Sequence, residues 1–326
     1  HPPPLILDEI QNVPDLLSYI QVFVDENDAA GRYVLTGSNQ PAVGESISQS
    51  LAGRTAIARL LPFSIGELEN AGITLARDDC LAGGFLPRIY DKGLEPYKAY
   101  GNYLETYVER DVRRQINVRN RSHFEAFLKL LAGRVGQVLN LHSLSGDIGI
   151  SSTTLSQWLS ILEACFIIHR VYPYYENFGK RIIKSPKVYF SEIGLASYLL
   201  GIQTPAQAGR DPLVGGLFEN LVVIEMVKTL FNRGMPANIY FFRDNHGNEV
   251  DLVYEAGRTL VPIEIKSAMT FNRTMIRGIE FFRRVTARAG EGYVIYAGDL
   301  EYDSDGYGVR NFRRMREVID RTEIRE

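Results

Sequence analysis

The chain has 326 residues, of which 45% are hydrophobic and 23% charged, the ordinary globular range, which excludes a disordered or fibrous protein. A net charge of −3 and a pI near 6.1 exclude a globally basic nucleic-acid binder while leaving room for a local basic patch. Two cysteines, Cys80 and Cys165, supply neither a zinc cluster nor a disulfide framework, so a reducing, cytoplasmic setting is expected.

Residues 4–8 (PLILD) are an apolar run ending in acid and read as a short buried strand. Asp15 to Asp25 carries Leu16, Leu17, Ile20 and Phe23 at helical spacing. Arg32 to Thr36 is a second strand, closed by Gly37, Ser38 and Asn39. Strand, helix, strand over so short a stretch is the parallel βαβ rhythm. Pro41 to Ser50 reads as a loop with a short helix, and Ala56 to Pro62 as a further strand. The chain opens on His1 directly before an apolar strand, and the expectation is a fragment whose natural N-terminus lies upstream. No signal peptide and no run of roughly 18 uncharged apolar residues is seen, so no membrane partner is expected.

From Gly66 the pattern turns helical. Tyr97 to Asn117 places Tyr100, Leu104, Tyr107, Val108 and Val112 inward; His123 to Asn140 does the same with Phe124, Phe127, Leu128, Leu131, Val135 and Val138. Leu141 to Asp147 reads as a short helix, Gly149 as a tight turn, and Ser151 or Ser152 as the cap of a helix from Thr153 to Ala164, with Leu155, Trp158, Leu159 and Leu162 buried. Phe166 to Tyr172 and Lys184 to Phe190 form the hairpin of a wing, to which Lys180, Arg181, Lys184 and Lys187 add charge. This is a winged helix-turn-helix pattern, whose second helix can enter a major groove. Its exposed Ser156, Gln157 and Ser160 are not basic, and protein contact is the competing reading.

Ala206 to Gly216 is a connector. A helix from Leu217 to Asn232 follows, then strands Asn238–Arg243, Glu249–Glu255 and Thr259–Lys266, a helix from Arg273 to Ala289 and a strand from Gly292 to Ala297. The Arg-rich tail, with Arg310, Arg313, Arg314 and Arg316, reads as an amphipathic closing helix. The fold class is α/β multidomain. The expected division is a partial P-loop-type parallel α/β domain over 1–65, a helical region with a winged helix-turn-helix near 123–190 over 66–205, and a second α/β domain over 206–326. Charge divides in the same sense. Residues 1–70 carry nine acids against three bases, net −6, which leaves +3 for the remainder.

Two constellations carry chemistry. "LILDEIQ" places Asp8 and Glu9 just past a strand, where nucleotide hydrolases hold Mg²⁺ and polarise the attacking water. Asn39 ends the second strand, positioned to sense a γ-phosphate, and Arg54 suits a finger toward a neighbouring subunit. Solvated strand ends and a surface arginine are the plain alternatives. No G-x-x-x-x-G-K-[ST] loop occurs in the sequence, so ATP is expected as cofactor only with an upstream phosphate-binding loop.

The second set is Glu219, Asp251, Glu264 and Lys266. Alternation on a strand puts Glu264 and Lys266 on one face, and a hairpin brings Asp251, with Glu249, alongside. An acid on the preceding helix and then D-x₁₂-E-x-K across a hairpin is the sequence form of a restriction-endonuclease-like core. Asp251 and Glu264 would hold Mg²⁺ or Mn²⁺, Glu219 would complete the shell, and Lys266 would lower the pKa of a water or orient it toward a phosphodiester. Arg273 and Arg277 follow as phosphate contacts. The alternative is an inert cluster of cross-strand ion pairs. His246 has no second His or Cys nearby and reads as a turn residue.

In order, "LILDEIQ", "YVLTGSN", "SLAGRTAIARLLPFSIGEL", "YLETYVERDV", "YFSEIGLASYLLG", "GGLFENLVVIEM", "FFRDNHGNEVDLVY" and "IEIKS" resemble prokaryotic AAA+ superfamily ATPases with a C-terminal domain of unknown function similar to restriction-endonuclease-like, PD-(D/E)xK nucleases. By that resemblance Asp8 and Glu9 match the Walker B pair and Asn39 the sensor-1 segment; Glu192 stands where the pattern usually has Asp. The resemblance implies a nucleotide-binding protein with a nuclease-like domain, with DNA and a second copy of the chain as expected partners. A non-enzymatic DNA- or protein-binding module with an inactive nuclease-like fold is the alternative.

Overall fold

The computed structural model describes residues 4–27, 29–37, 51–106, 121–175 and 185–323. They fall into two units, 1–58 and 59–326.

In the first unit, strands β1 (Leu5–Leu7) and β2 (Tyr33–Leu35) pair in parallel, with the helix Leu16–Glu26 between them in sequence. This is the expected strand–helix–strand unit. Leu17 and Ile20 of the helix are buried with Ile10 and Leu51.

The second unit is built on one mixed sheet of eight strands. They are β3 (Ile168–Pro173), β4 (Lys187–Phe190), β5 (Ile239–Arg243), β6 (Glu249–Ala256), β7 (Thr259–Lys266), β8 (Gly292–Tyr296), β9 (Tyr302–Ser304) and β10 (Tyr307–Asn311). Their order is β4-β3-β5-β6-β7-β8-β10-β9. The β5-β6-β7 meander is antiparallel; β7 and β8 pair in parallel, as do β8 and β10. β7 therefore lies inside the sheet and buries both faces, which is why VPIEIK reads as a nearly continuous apolar run. The helix Val214–Asn232 is apolar around most of its circumference and is correspondingly buried.

The hairpin expected from 166–190 does form, with β3 antiparallel to β4, but β3 also pairs in parallel with β5. The two strands thus extend the C-terminal sheet. Core residues from Leu81 through Leu199 and from Leu217 through Ile319 make one cluster, so packing is continuous across 205/206.

The helices Leu141–Ile148 and Ser152–Ala164 flank Gly149, whose φ of 77° makes the turn. Ser151 caps the second helix by accepting from Thr154 N at 3.1 Å. Leu155, Trp158, Leu159 and Leu162 are buried and Gln157 and Ser160 exposed, as the periodicity predicts.

Several expectations are corrected. Residues 55–61 form no strand; Ile57 and Leu60 are exposed there, with no partner strand to bury them. The helix read as His123 to Asn140 spans Arg121–Ala132 and gives way to turns at Gly133, where chain entropy opposes its continuation. The helix read from Arg273 begins as a 3-10 turn, Arg273–Ile276, and becomes α-helical over Arg277–Val285. Arg310 lies in β10, not in a closing helix; it is buried and pairs with Asp303. The end of the helix read as Tyr97 to Asn117, the loop 41–50, and Lys180, Arg181 and Lys184 lie outside the described residues.

Candidate functional site

In the first unit, Asp8 follows β1 and accepts a hydrogen bond from Thr36 Oγ1, which follows β2. The two strand ends that the acid-pair reading joins are therefore in contact. Glu9 adopts a left-handed φ of 53°, uncommon for a side-chain-bearing residue, and accepts from Gln11 Nε2. Arg54 is a forked partner of Asp25, with Nε to Oδ1 at 2.5 Å and Nη2 to Oδ2 at 3.1 Å. Asn39 lies outside the described residues.

The C-terminal set comes together. The antiparallel register pairs Leu252 with Ile263, and one step further places Asp251 opposite Glu264. Ile265 N donates to Asp251 Oδ2 at 2.8 Å. Lys266 Nζ lies 2.6 Å from Asp251 Oδ2 and 2.5 Å from Glu264 Oε2, so two carboxylates converge on one point. Glu264 is held from behind by the helix Arg277–Val285, where Gly278 leaves the space its carboxylate fills.

Glu219, on the long helix, meets a second ammonium. Lys187 Nζ is 2.9 Å from Glu219 Oε1 and 2.6 Å from Glu249 Oε1. Tyr189 donates its hydroxyl to the same Glu219 oxygen at 2.6 Å. Lys187 is therefore not a charge on a wing: its side chain is 2% exposed, against 33% for Lys266 at the open side. Tyr189 and Lys187 stand two residues apart on one face of β4. Their spacing was legible, but the acidic partners lie far away in sequence.

Burial raises the Glu264 carboxyl above the usual range, and the negative Asp251 adds to it, with Lys266 opposing. Burial acts the same way on Asp251, yet Lys266, Lys187 and the Ile265 N–H outweigh it and hold Asp251 low. Glu219 is raised by burial, against Lys187 and the Tyr189 hydroxyl. Two neighbouring acids with pKa values pushed apart are the pattern of acid–base sites, and also of structural ion-pair networks.

Among the described residues no three His, Cys, Asp or Glu groups are arranged to hold a metal ion, so Glu219 does not join Asp251 and Glu264 in a three-carboxylate cage. The Asp251–Glu264 pair by itself fits Mg²⁺ or Mn²⁺: its hard oxygens reach a common point, and Mg²⁺ commonly takes one or two carboxylates with water and phosphate oxygens completing the shell. Arg273, Arg277, Arg283, Arg284 and Arg288 are exposed on the neighbouring segment, with a hollow of about 480 Å³ at Arg283 and Arg284. No member of the carboxylate set lines that hollow. His246 lies in a turn organised by Asp244, which accepts from the backbone N–H groups of His246 and Asn248.

Residues 1–69 match an AAA domain, 74–206 a domain of unknown function (DUF8612) and 214–313 another (DUF4143). Uncharacterized proteins of Mycobacterium tuberculosis and Mycobacterium bovis are each 29% identical over 268 residues, covering 82% of this chain and 59% of the relative. An uncharacterized Haemophilus influenzae protein is 23% identical over 219 residues, covering 60% of this chain and 50% of the relative. The chain thus spans 59% of the length of its mycobacterial relatives. A crystal structure of a Vibrio cholerae protein aligns over 98% of this chain and 89% of its own at 15% identity, with a TM-score of 0.27, too low to inform the fold. The AAA and DUF4143 matches support an AAA-like ATPase family. Among the described residues no helix is long and apolar enough to cross a membrane.

Proposed function

We propose that this is part of an ATPase-type protein whose C-terminal sheet carries a Mg²⁺- or Mn²⁺-dependent phosphodiesterase site for nucleic acid. The observation that carries the reading is the convergence of Asp251 Oδ2 and Glu264 Oε2 on Lys266 Nζ at 2.6 and 2.5 Å. Asp251 and Glu264 would hold the ion, which when bound supplies Lewis acidity and a lowered water pKa. Lys266, a third exposed, can withdraw from the carboxylates and place its charge against a phosphate oxygen or a water. The exposed Arg273, Arg277, Arg283 and Arg284 offer a sequence-independent hold on a phosphate backbone. In the N-terminal part, Asp8, Glu9, Asn39 and Arg54 are the proposed nucleotide and Mg²⁺ residues. Turnover of ATP depends on a phosphate-binding loop, and the check is ATP hydrolysis by the full-length protein and its loss in Glu9→Gln.

A second reading is a binding module in which the helix Ser152–Ala164 and the strands β3 and β4 act as a winged helix and the carboxylate set is inert. The closed Lys266 bridges favour it. Incubation of the full chain with plasmid and single-stranded DNA and Mn²⁺ separates the two. Cleavage by the wild type and its loss in Lys266→Ala support the first reading. Salt-sensitive DNA binding with no cleavage overturns it in favour of the second.

A further inference from the structure

We propose that Lys187 is a resident cation: its ammonium fills a second acidic pocket, between Glu219 and Glu249, and so limits the site to one divalent ion. The inference builds on the reading of Asp251 and Glu264 as metal ligands only for where that one ion sits.

The two lysines repeat one arrangement. Lys266 joins Asp251 to Glu264, and Lys187 joins Glu219 to Glu249 at 2.9 and 2.6 Å. Each ammonium stands where a cation shared by two carboxylates would stand. Charge supports a difference in role. With Lys266 withdrawn, Glu219, Glu249, Asp251 and Glu264 against Lys187 and Arg243, which lies 3.6 Å from Glu249 Oε2, leave the fully ionised set at −2, the complement of one divalent ion. Without Lys187 the balance is −3, and the point shared by Glu219 Oε1 and Glu249 Oε1 loses its cation, while Arg243 stays on Glu249 and the Tyr189 hydroxyl on Glu219.

The structure also holds the two lysines differently. Lys266 can leave, because a third of its side chain is exposed, whereas Lys187 is 2% exposed with its Nζ 5.4 Å from the Phe241 ring centroid. Its backbone is pinned on both sides: β3 pairs with β4, Lys187 bridges to Val138, and Leu139 N donates to Pro186 O at 2.9 Å. Lys187 belongs to the segment matched as 74–206, while all four carboxylates belong to 214–313. The inner wall of the C-terminal site is thus supplied by the preceding segment, with Gly136 also set close against Glu219 Oε2. An ammonium is a permanent occupant there, whereas a metal ion exchanges with solvent. Lys187, with Arg243 on the far oxygen of Glu249, leaves Glu219 and Glu249 neutralised at every metal concentration, which confines exchange to the Asp251–Glu264 pair.

The test is Mn²⁺ titration of the full chain, followed by electron paramagnetic resonance of the free ion and by calorimetry. Wild type, Lys187→Arg, Lys187→Met and Lys187→Met with Glu219→Gln are compared. Lys187→Met is expected to take up one more Mn²⁺ per chain than the wild type, and its melting temperature to rise more steeply with Mn²⁺. Lys187→Arg, and the double variant that removes one acid with the lysine, are expected to return to the wild-type count. A folded Lys187→Met with an unchanged or lower count overturns the proposal. If Lys187→Met is unfolded without metal, Mn²⁺ is expected to restore its circular dichroism, and failure to do so up to millimolar Mn²⁺ also overturns it. A wild type that binds no Mn²⁺ removes the Asp251–Glu264 reading, while the difference of one ion between variant and wild type still decides the role of Lys187.

Discussion

A Cβ built on Gly278 would lie 1.9 Å from Glu264 Oε1, so the first turn of the helix Arg277–Val285 is the wall against which the site's glutamate rests. The same Cβ would come within 2.5 Å of the Glu249 carbonyl, leaving it no route of escape. Gly278→Ala must therefore move either the helix or Glu264. The expected cost is about 1–3 kcal/mol, as for other overpacked interiors. The measurements are the melting temperature and the affinity for Mn²⁺. A variant with both unchanged would show that Glu264 does not need this wall.

Glu192 makes a pH prediction at a distance from the site. It is buried and caps the helix Ile193–Leu199, and its Oε1 accepts from Phe85 N at 2.9 Å, Gly194 N at 3.0 Å and Tyr100 OH at 2.9 Å. Among the described residues Oε2 has no partner. Burial raises its pKa, with Lys228 and these hydrogen bonds opposing. A carboxyl raised on folding keeps its proton where the unfolded chain has lost it. Its contribution is present below the unfolded value, near 4.5, and is lost as pH rises through the folded value. Glu192→Gln mimics the protonated form. Melting curves are expected to coincide at low pH and to separate above pH ~5, with the Gln variant the more stable. Parallel curves at all pH values would refute this.

Lys228 and Glu225 tie the long helix to residues 63–65. Lys228 Nζ donates to Glu225 Oε1 at 2.9 Å and to the Phe63 carbonyl at 2.7 Å, and Ile65 N donates to Glu225 Oε2 at 2.8 Å. Lys228→Met strands a buried carboxylate and is expected to cost about 3–5 kcal/mol. Adding Glu225→Gln should recover part of that loss, because the charge goes with its partner. Denaturant titration of the three proteins gives the coupling directly.

Ser151 supplies the smallest effect. Its Oγ is the acceptor for Thr154 N, and Ser151→Ala is expected to cost about 1 kcal/mol, the usual value of an N-cap. The loss should appear in thermal unfolding and leave Mn²⁺ affinity unaltered, since Ser151 belongs to neither carboxylate pair.

Local pattern carried much of this architecture. The strand, helix, strand order of the first 35 residues, the buried faces of the helices Arg121–Ala132 and Ser152–Ala164, and the β5-β6-β7 meander follow from periodicities of 3.6 and 2 and from turn residues. The carboxylate–lysine set was legible for the same reason: a hairpin fixes which residues face each other. The strands Tyr302–Ser304 and Tyr307–Asn311 were missed because they are short and polar, and Arg310 within them looks like a surface charge until Asp303 is placed beside it.

From the chain alone came the alternation that sets Glu264 and Lys266 on one side of a strand and the twelve-residue spacing that returns Asp251 to them. These are short-range consequences of backbone geometry. Only the folded molecule decided that Lys187 is an interior charge, that β3 and β4 continue the C-terminal sheet, and that Glu219 answers to Lys187 and Tyr189. A lysine's burial depends on acids more than thirty residues away, and no local period encodes such a meeting.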